Sequence, residues 1–329
     1  MKLLIVTYRS ANIYGINQVL KGLIPSLKRK IEVLQNINYF KFLFSNIDFI
    51  HIHGLWDPKF FLFFITAKLK KKKVIISPHG MLDPETLKIK SFKKKIAFYI
   101  YQRSVLIGSD LIIVNSNEEK KNFLEKVNHK KIAVIPHGIN LIKIKKKINK
   151  SLLHSVYFSK IHPIKNLLQL VKIWSISKKL QEFKLSIYGE IDDREYFNKI
   201  NNIISKSKNI FFCGKIGNNK ILNLSHYDIF IFPSKSENFG LVVLEALNAG
   251  LHLILNQTLP WKSLEINKFA SFTNFNKKSL EDLIIFTEKN KNFLFSNLLY
   301  KKKILYLKSN YNWQIISNKY IAQYKNLLF

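Results

Sequence analysis

The sequence predicts an α/β protein made of two doubly wound halves facing a cleft, and three observations carry that prediction. Helix and strand signals alternate from end to end, the pattern of a parallel sheet wrapped by helices. The alternation stops at a lysine-rich stretch, 141–151, which reads as a linker, and then restarts. A chain of 329 residues with 47% hydrophobic content is also long enough to bury two cores.

Taken in order, residues 2–7 read as the first strand. Ile16, Val19, Leu20, Leu23, Ile24 and Leu27 then recur at helical spacing, with Pro25 expected to kink that helix. Further strands are expected at 49–53, 74–77, 111–115 and 132–135. In the second half, 155–158 and 184–188 read as strands joined by a helix from Asn166 to about Ser177; strands at 209–212, 229–232 and 251–255 follow. Trp313, Ile316, Tyr320, Ile321 and Tyr324 mark a final amphipathic helix. The domains are then 1–150 and 151–308, each Rossmann-like, with a terminal helix in 309–329. Ligands of such sheets lie beyond the carboxyl ends of the strands, so the expected site is the cleft.

Composition excludes several classes. The longest tempting apolar stretch, 60–67, is bounded by lysines and too short to span a bilayer. The first residues lack the length and small-residue cleavage site of a signal peptide, and the single cysteine, Cys213, allows no intrachain disulfide. The expected location is therefore cytoplasmic. A net charge of +33 asks for an anionic partner or a compositional cause. Residues 1–150 hold 29 Lys and Arg against 9 Asp and Glu, and the remainder hold 25 against 12, so the first half is the more basic. Lysine runs at 71–73, 93–95 and 145–147 suit an anionic membrane surface, which would place the protein peripherally on the inner face of the membrane. The competing reading is a genome-wide bias toward Lys, Ile, Asn and Phe. No nucleic-acid partner is expected, because zinc-finger spacing, aromatic RNA-binding motifs and basic heptads are all missing from the sequence.

The most informative segment is 231–250, IFPSKSENFGLVVLEALNAG. A buried strand delivers a turn, Glu237-Asn238-Phe239-Gly240, to the start of a helix that Gly250 closes. Free backbone N–H groups and the positive end of the helix dipole at such a start suit a phosphate. Glu245 lies about one and a half turns into the helix among Val242, Val243, Leu244 and Ala246, where a carboxylate is costly without a partner. Two carboxylates flanking an anion-binding turn suit a ligand with both hydroxyls and phosphates. Ser159-Lys160-Ile-His-Pro-Ile-Lys165 adds two cations on a loop that opens the next helix, a placement able to grip a diphosphate.

These motifs, with Pro78-His79-Gly80-Met81-Leu82 and His51-Ile-His53-Gly-Leu-Trp56, resemble the retaining glycosyltransferases of family 4, which have the GT-B fold. The resemblance implies that Glu237 holds the hydroxyls of a donor sugar and Glu245 those of the ribose. Asn238, Phe239, Gly240 and Leu241 would offer N–H groups to the pyrophosphate, and His79 would reach the sugar near its 6-position. Lys165 matches the second basic position of the family's loop motif, whereas Lys160 stands where the family has arginine. Gly15 stands where the family has a Gly-Gly turn over the β-phosphate. Glu190, after Gly189, would border the nucleobase pocket with 214–217. Pro260-Trp261 resembles a stretch of polysaccharide-type members. The final helix would cross back to the first domain.

His51 and His53 share one side of a strand, a spacing open to metal; no third ligand is apparent, and acceptor-side or structural roles remain alongside. Asp83 and Glu85 are open between acceptor contacts and loop structure. The resemblance implies transfer of a sugar from a nucleoside diphosphate sugar to a polysaccharide, lipopolysaccharide or lipid-linked saccharide acceptor, with retention, no metal and no cofactor. The alternative is a degenerate, non-catalytic GT-B protein that binds a membrane or a partner. No G-x-x-x-x-G-K-[ST] or G-x-G-x-x-G occurs, which argues against an ATPase or a dehydrogenase.

Overall fold

A computed structural model describes residues 1–8, 14–35, 37–89, 91–144, 152–217 and 220–328. The chain divides into two compact units, one of residues 1–140 with 310–329 and the other of residues 141–309. Most of the expected linker, 145–151, lies outside the described residues, as does the lysine run at 145–147; residues 141–144 carry no helix or strand.

The first unit contains a parallel sheet of β1 (Lys2–Val6), β2 (Glu32–Gln35), β3 (Phe49–His53), β4 (Lys73–Ser77), β5 (Leu111–Val114) and β6 (Ile132–Val134), in the order β2-β1-β3-β4-β5-β6. Central strands β3 and β5 are buried on both faces, as expected where helices cover each side of a parallel sheet. The helix Tyr14–Lys28 follows β1 and buries the six apolar residues whose spacing predicts it, continuing through Pro25.

The second unit repeats the plan with β7 (His154–Phe158), β8 (Lys184–Tyr188), β9 (Ile210–Phe212), β10 (Ile229–Phe232), β11 (His252–Asn256) and β12 (Ala270–Thr273), in the order β12-β11-β10-β7-β8-β9. Strand order reverses between β7 and β10, which pair directly through Ile229 with Ser155. Such a switch point is where doubly wound sheets bind ligands.

The helix Trp313–Lys325 belongs to the first unit and packs on Tyr14–Lys28. Trp313, Ile316, Tyr320 and Tyr324 are buried. Ser26 Oγ donates to the Trp313 carbonyl at 3.1 Å and meets Ser317 Oγ at 2.9 Å, which fixes the register of the two helices. Trp313 enters a slot that side chains leave open: a Cβ on Gly22 would fall 2.1 Å from its indole, and one on Gly138 would fall 2.5 Å away.

Candidate functional site

In the second unit, the site grows from the loops that leave β7 and β10. After β7 the chain makes a single 3-10 turn, Pro163–Lys165, whose first amide pairs are organised by the His162 side chain accepting from Ile164 N at 3.3 Å. After β10, Lys235 N donates to the Ile164 carbonyl at 3.0 Å, and buried Ser234 donates to the Ser236 carbonyl at 2.9 Å. Stitching the two loops places Lys165 against Glu237, whose Oε1 accepts from Lys165 Nζ. Their side chains are 19% and 11% exposed, so solvent screens the pair weakly.

Gly240 caps the helix Leu241–Asn248 with φ +77°, a conformation that a Cβ would strain. A glycine brings no side chain to cap the helix, and Val243 N donates to the Gly240 carbonyl at 2.9 Å. Phe239 holds the turn down by packing edge-on to buried Trp261, with ring centroids 5.2 Å apart. Four residues into the helix, Glu245 receives Lys220 Nζ on both oxygens at 2.8 and 2.9 Å. Lys220 also sits 4.6 Å from the centre of the Phe158 ring at the end of β7. Burial pushes the Glu245 carboxyl up, and the Lys220 ammonium opposes this.

On the other side of β7, Glu190 pairs with Lys215 at 2.9 Å on the surface, and the hydrogen bond from Lys215 lowers its pKa. Gly189 has its backbone so close to the Ser159 carbonyl that a Cβ would lie 2.0 Å from that oxygen. Only glycine allows the loops after β7 and β8 to run side by side here.

In the first unit, β3 and the loops after β4 and β6 assemble a column of imidazoles. His51 and His53 lie 4.0 Å apart by ring centroids, His53 and His79 stack at 5.1 Å, and His79 and His137 stack at 5.6 Å. His51 bonds Tyr324 Oη through Nδ1 at 2.8 Å and Ser77 Oγ through Nε2 at 2.9 Å. Asn115 Nδ2 lies 3.5 Å from His79 Nδ1, and an amide nitrogen can only donate. His79 Nε2 shares a hydrogen bond with His53 Nδ1 at 2.9 Å. Desolvation lowers the pKa of every member, that of His79 to about 4, so all four are neutral at pH 7. His79 has φ +54°, and its loop is pinned by buried Glu119, which accepts from Gly80 N at 2.5 Å and Asn115 N at 2.6 Å.

A profile of the family described as Glycosyl transferases group 1 matches residues 139–303, just over half of the chain. The chain belongs to the group 1 glycosyl transferases. A second profile, Glycosyltransferase Family 4, matches residues 6–143. A Bacillus subtilis protein named uncharacterized glycosyltransferase YqgM is 30% identical over 161 residues, 48% of this chain and 45% of that protein. An uncharacterized 41.2 kDa protein in the cps region of Klebsiella pneumoniae is 28% identical over 245 residues, 69% of this chain and 63% of its own length. The matches thus span less than two thirds of those curated relatives. Among solved structures, Anabaena HepE in complex with UDP and glucose superposes with a TM-score of 0.76 at 15% identity, covering 99% of this chain and 100% of that one. Sucrose-phosphate synthase from Thermosynechococcus elongatus gives 0.73 at 14% identity, covering 100% and 99%. The fold of this group 1 glycosyl transferase is GT-B.

Within that fold the structure joins some predicted residues and separates others. Lys165, Glu237, Asn238, Phe239, Gly240, Leu241 and Glu245 form one continuous group in the second unit. Lys160 does not converge with Lys165: its Nζ lies 3.6 Å from Asp192, because Lys160 precedes the backbone bridge from Ile161 to Glu190 and turns toward that loop. Gly15 is not a turn glycine; it occupies the first turn of the helix Tyr14–Lys28, and a Cβ there would meet nothing within 4 Å. The preceding loop, 9–13, lies outside the described residues. Among the described residues, no three His, Cys, Asp or Glu side chains come together as a metal-ligand set, and His51 and His53 are committed to the column. Asp83 is the N-cap of Pro84–Lys88, accepting from Glu85 N at 2.9 Å, which is a structural role. Glu85 pairs with Lys88.

Two residues escape the sequence reading. Lys220 is one lysine among many and carries no local signal. Glu119 had one: Ser116-x-x-Glu119 is a capping-box spelling, and Ser116 does cap the helix Asn117–Leu124.

Proposed function

We propose that this protein transfers a sugar from a nucleoside diphosphate sugar to a saccharide acceptor, with retention of configuration at the anomeric carbon. The acceptor class is a polysaccharide, lipopolysaccharide or lipid-linked saccharide. The observation that carries the proposal is the meeting of Lys165 and Glu237 at the start of Leu241–Asn248, at the point where strand order reverses in the second sheet. Charge develops on the diphosphate as the glycosidic C–O bond breaks. In this reading Lys165 and backbone N–H groups of the turn stabilise it, the largest electrostatic task of such a reaction.

Glu237 orients the sugar hydroxyls and Glu245 the ribose hydroxyls, while Glu190 borders the base end and Lys160, turned to Asp192, stands apart from the phosphates. Lys165 and the amides meet the charge of the diphosphate, so the reading calls for no metal or cofactor. His79, neutral and hydrogen-bonded to His53, has no proton to give at pH 7 as an imidazolium. Its part is hydrogen bonding and shape. Retention rests on the motif resemblance. The binding of UDP and glucose by HepE, which shares the fold, supports the choice of donor.

The test is release of nucleoside diphosphate from a panel of sugar nucleotides, with and without saccharide acceptors, followed by assignment of the anomeric configuration in the product. Release that Glu237→Gln abolishes supports the proposal. Binding of a sugar nucleotide with no release under any condition contradicts it and favours a non-catalytic member of the family.

A further inference from the structure

One surface of the first unit remains unused by this chemistry. Ser91–Ala97, the π-helical turn Phe98–Gln102 and Arg103–Gly108 run as one continuous helical segment. Its inner face is fixed: Gln102 accepts from Trp56 N at 2.9 Å, Tyr101 donates to the Trp56 carbonyl at 2.6 Å, and Val105 and Leu106 are buried. The outer face cannot turn inward. It nevertheless carries Phe92 at 75% exposure, Tyr99 at 70% and Ile100 at 72%, with Ile96 beside them. Large apolar side chains this exposed and this close together mark an interaction surface.

Charge identifies the partner. Residues 86–109 hold six Lys or Arg and no Asp or Glu, and Lys93, Lys95 and Arg103 are exposed on the same segment. Lys94 donates to the Thr86 carbonyl at 2.5 Å, so the lysine triplet offers two free cations and not three. A second copy of this chain would bring these cations face to face, which opposes self-association. Aromatic and aliphatic side chains ringed by cations, on a helix lying along the surface, are the composition of an interfacial membrane contact. No helix among the described residues is long and apolar enough to cross a membrane, so the contact is with the surface.

We infer that the outer face of residues 91–107 docks on an anionic bilayer, with Phe92, Tyr99 and Ile100 entering the headgroup region and Lys93, Lys95 and Arg103 meeting the lipid phosphates. The inference deepens the proposed function by supplying the surface on which a lipid-linked acceptor would be met. Flotation of the full chain with vesicles of phosphatidylcholine, alone or mixed with phosphatidylglycerol, tests it. Such vesicles contain no saccharide, so binding reports on the surface and not on acceptor recognition. Nucleoside diphosphate release measured without vesicles reports separately on the transferase reading. Binding is expected to mixed vesicles alone. The pair Lys93→Gln and Lys95→Gln should weaken it about fivefold per cation. The pair Tyr99→Ser and Ile100→Ser should weaken it at least tenfold while leaving the melting curve unchanged, since both side chains are exposed. Equal binding to neutral and mixed vesicles, binding to neither, or variants that bind like the parent overturn the inference. So does a dimer in the absence of lipid that Tyr99→Ser and Ile100→Ser dissolve.

Discussion

Lys165 and Glu237 stand 72 positions apart and are joined through Nζ and Oε1 in an ion pair beyond the carboxyl ends of β7 and β10, the central strands of the second sheet. The pair ties the loop after β7 to the loop after β10, so it shapes the proposed donor site as well as supplying its charges. Lys165→Ala leaves the Glu237 carboxylate without its cation in a poorly solvated place, and the expected loss of stability is about 1–3 kcal/mol, below the range for fully buried pairs. Denaturant unfolding checks this, and the Lys165→Ala/Glu237→Gln double variant should lose less than the sum of the two single changes. Glu237→Gln should lower sugar transfer about a hundredfold or more.

Lys220 and Glu245 form the second pair of the unit. Lys220→Ala should weaken sugar-nucleotide binding alongside Glu245→Ala, because Glu245 would lose the cation that offsets its burial and holds both its oxygens. A coupling of about 1 kcal/mol or more is expected in a double-mutant cycle on donor affinity. Additive effects would separate Lys220 from the ribose-binding role of Glu245.

The seat of the C-terminal helix depends on two missing side chains. Gly22→Ala and Gly138→Ala each place a methyl against the Trp313 indole, with no room to accept it. Each should cost about 1–3 kcal/mol through overpacking. Thermal melts check this, and Trp313→Leu should partly rescue Gly22→Ala if the clash is the cause.

Acid should destabilise the first unit sharply. His51, His53, His79 and His137 have folded pKa values below the ordinary 6.5, that of His79 near 4. Between those values the unfolded chain binds protons that the folded chain refuses. Stability is therefore full above about pH 6.5 and falls as pH drops toward 4, by up to about 1.4 kcal/mol per pH unit for each histidine. Melting temperatures measured from pH 7 to pH 4.5 should decline steeply across this window. Replacing His53 by Asn should flatten the slope.

Much of this architecture is legible in the sequence because buried parallel strands announce themselves. Runs such as Ile229–Phe232 and Leu111–Val114 are apolar on both faces, and the helix after β1 has six buried positions at helical spacing. Two of the four edge strands, β2 and β12, are not legible. Glu32–Gln35 buries only Val33, and Ala270–Thr273 alternates weakly, so neither carries a run that distinguishes it from a loop. The carboxylate-bearing turn is legible because strand, turn and helix adjoin in sequence. The partner of Glu245 is not, because a salt bridge 25 residues away is set by tertiary packing among many lysines. Likewise the spacing of Lys160 and Lys165 suggests a joint grip, but the intervening 3-10 turn sends the two side chains to different carboxylates.

The central claim is that the second unit holds a nucleoside diphosphate sugar through Lys165, Glu237, Glu245 and the start of Leu241–Asn248. Isothermal titration of the full chain against uridine, guanosine, adenosine and thymidine diphosphate sugars tests it most directly. At least one is expected to bind, with affinity reduced tenfold or more in Lys165→Ala and Glu245→Ala and little changed in Tyr99→Ser. Failure of every sugar nucleotide to bind, or binding undiminished in both site variants, would contradict the account.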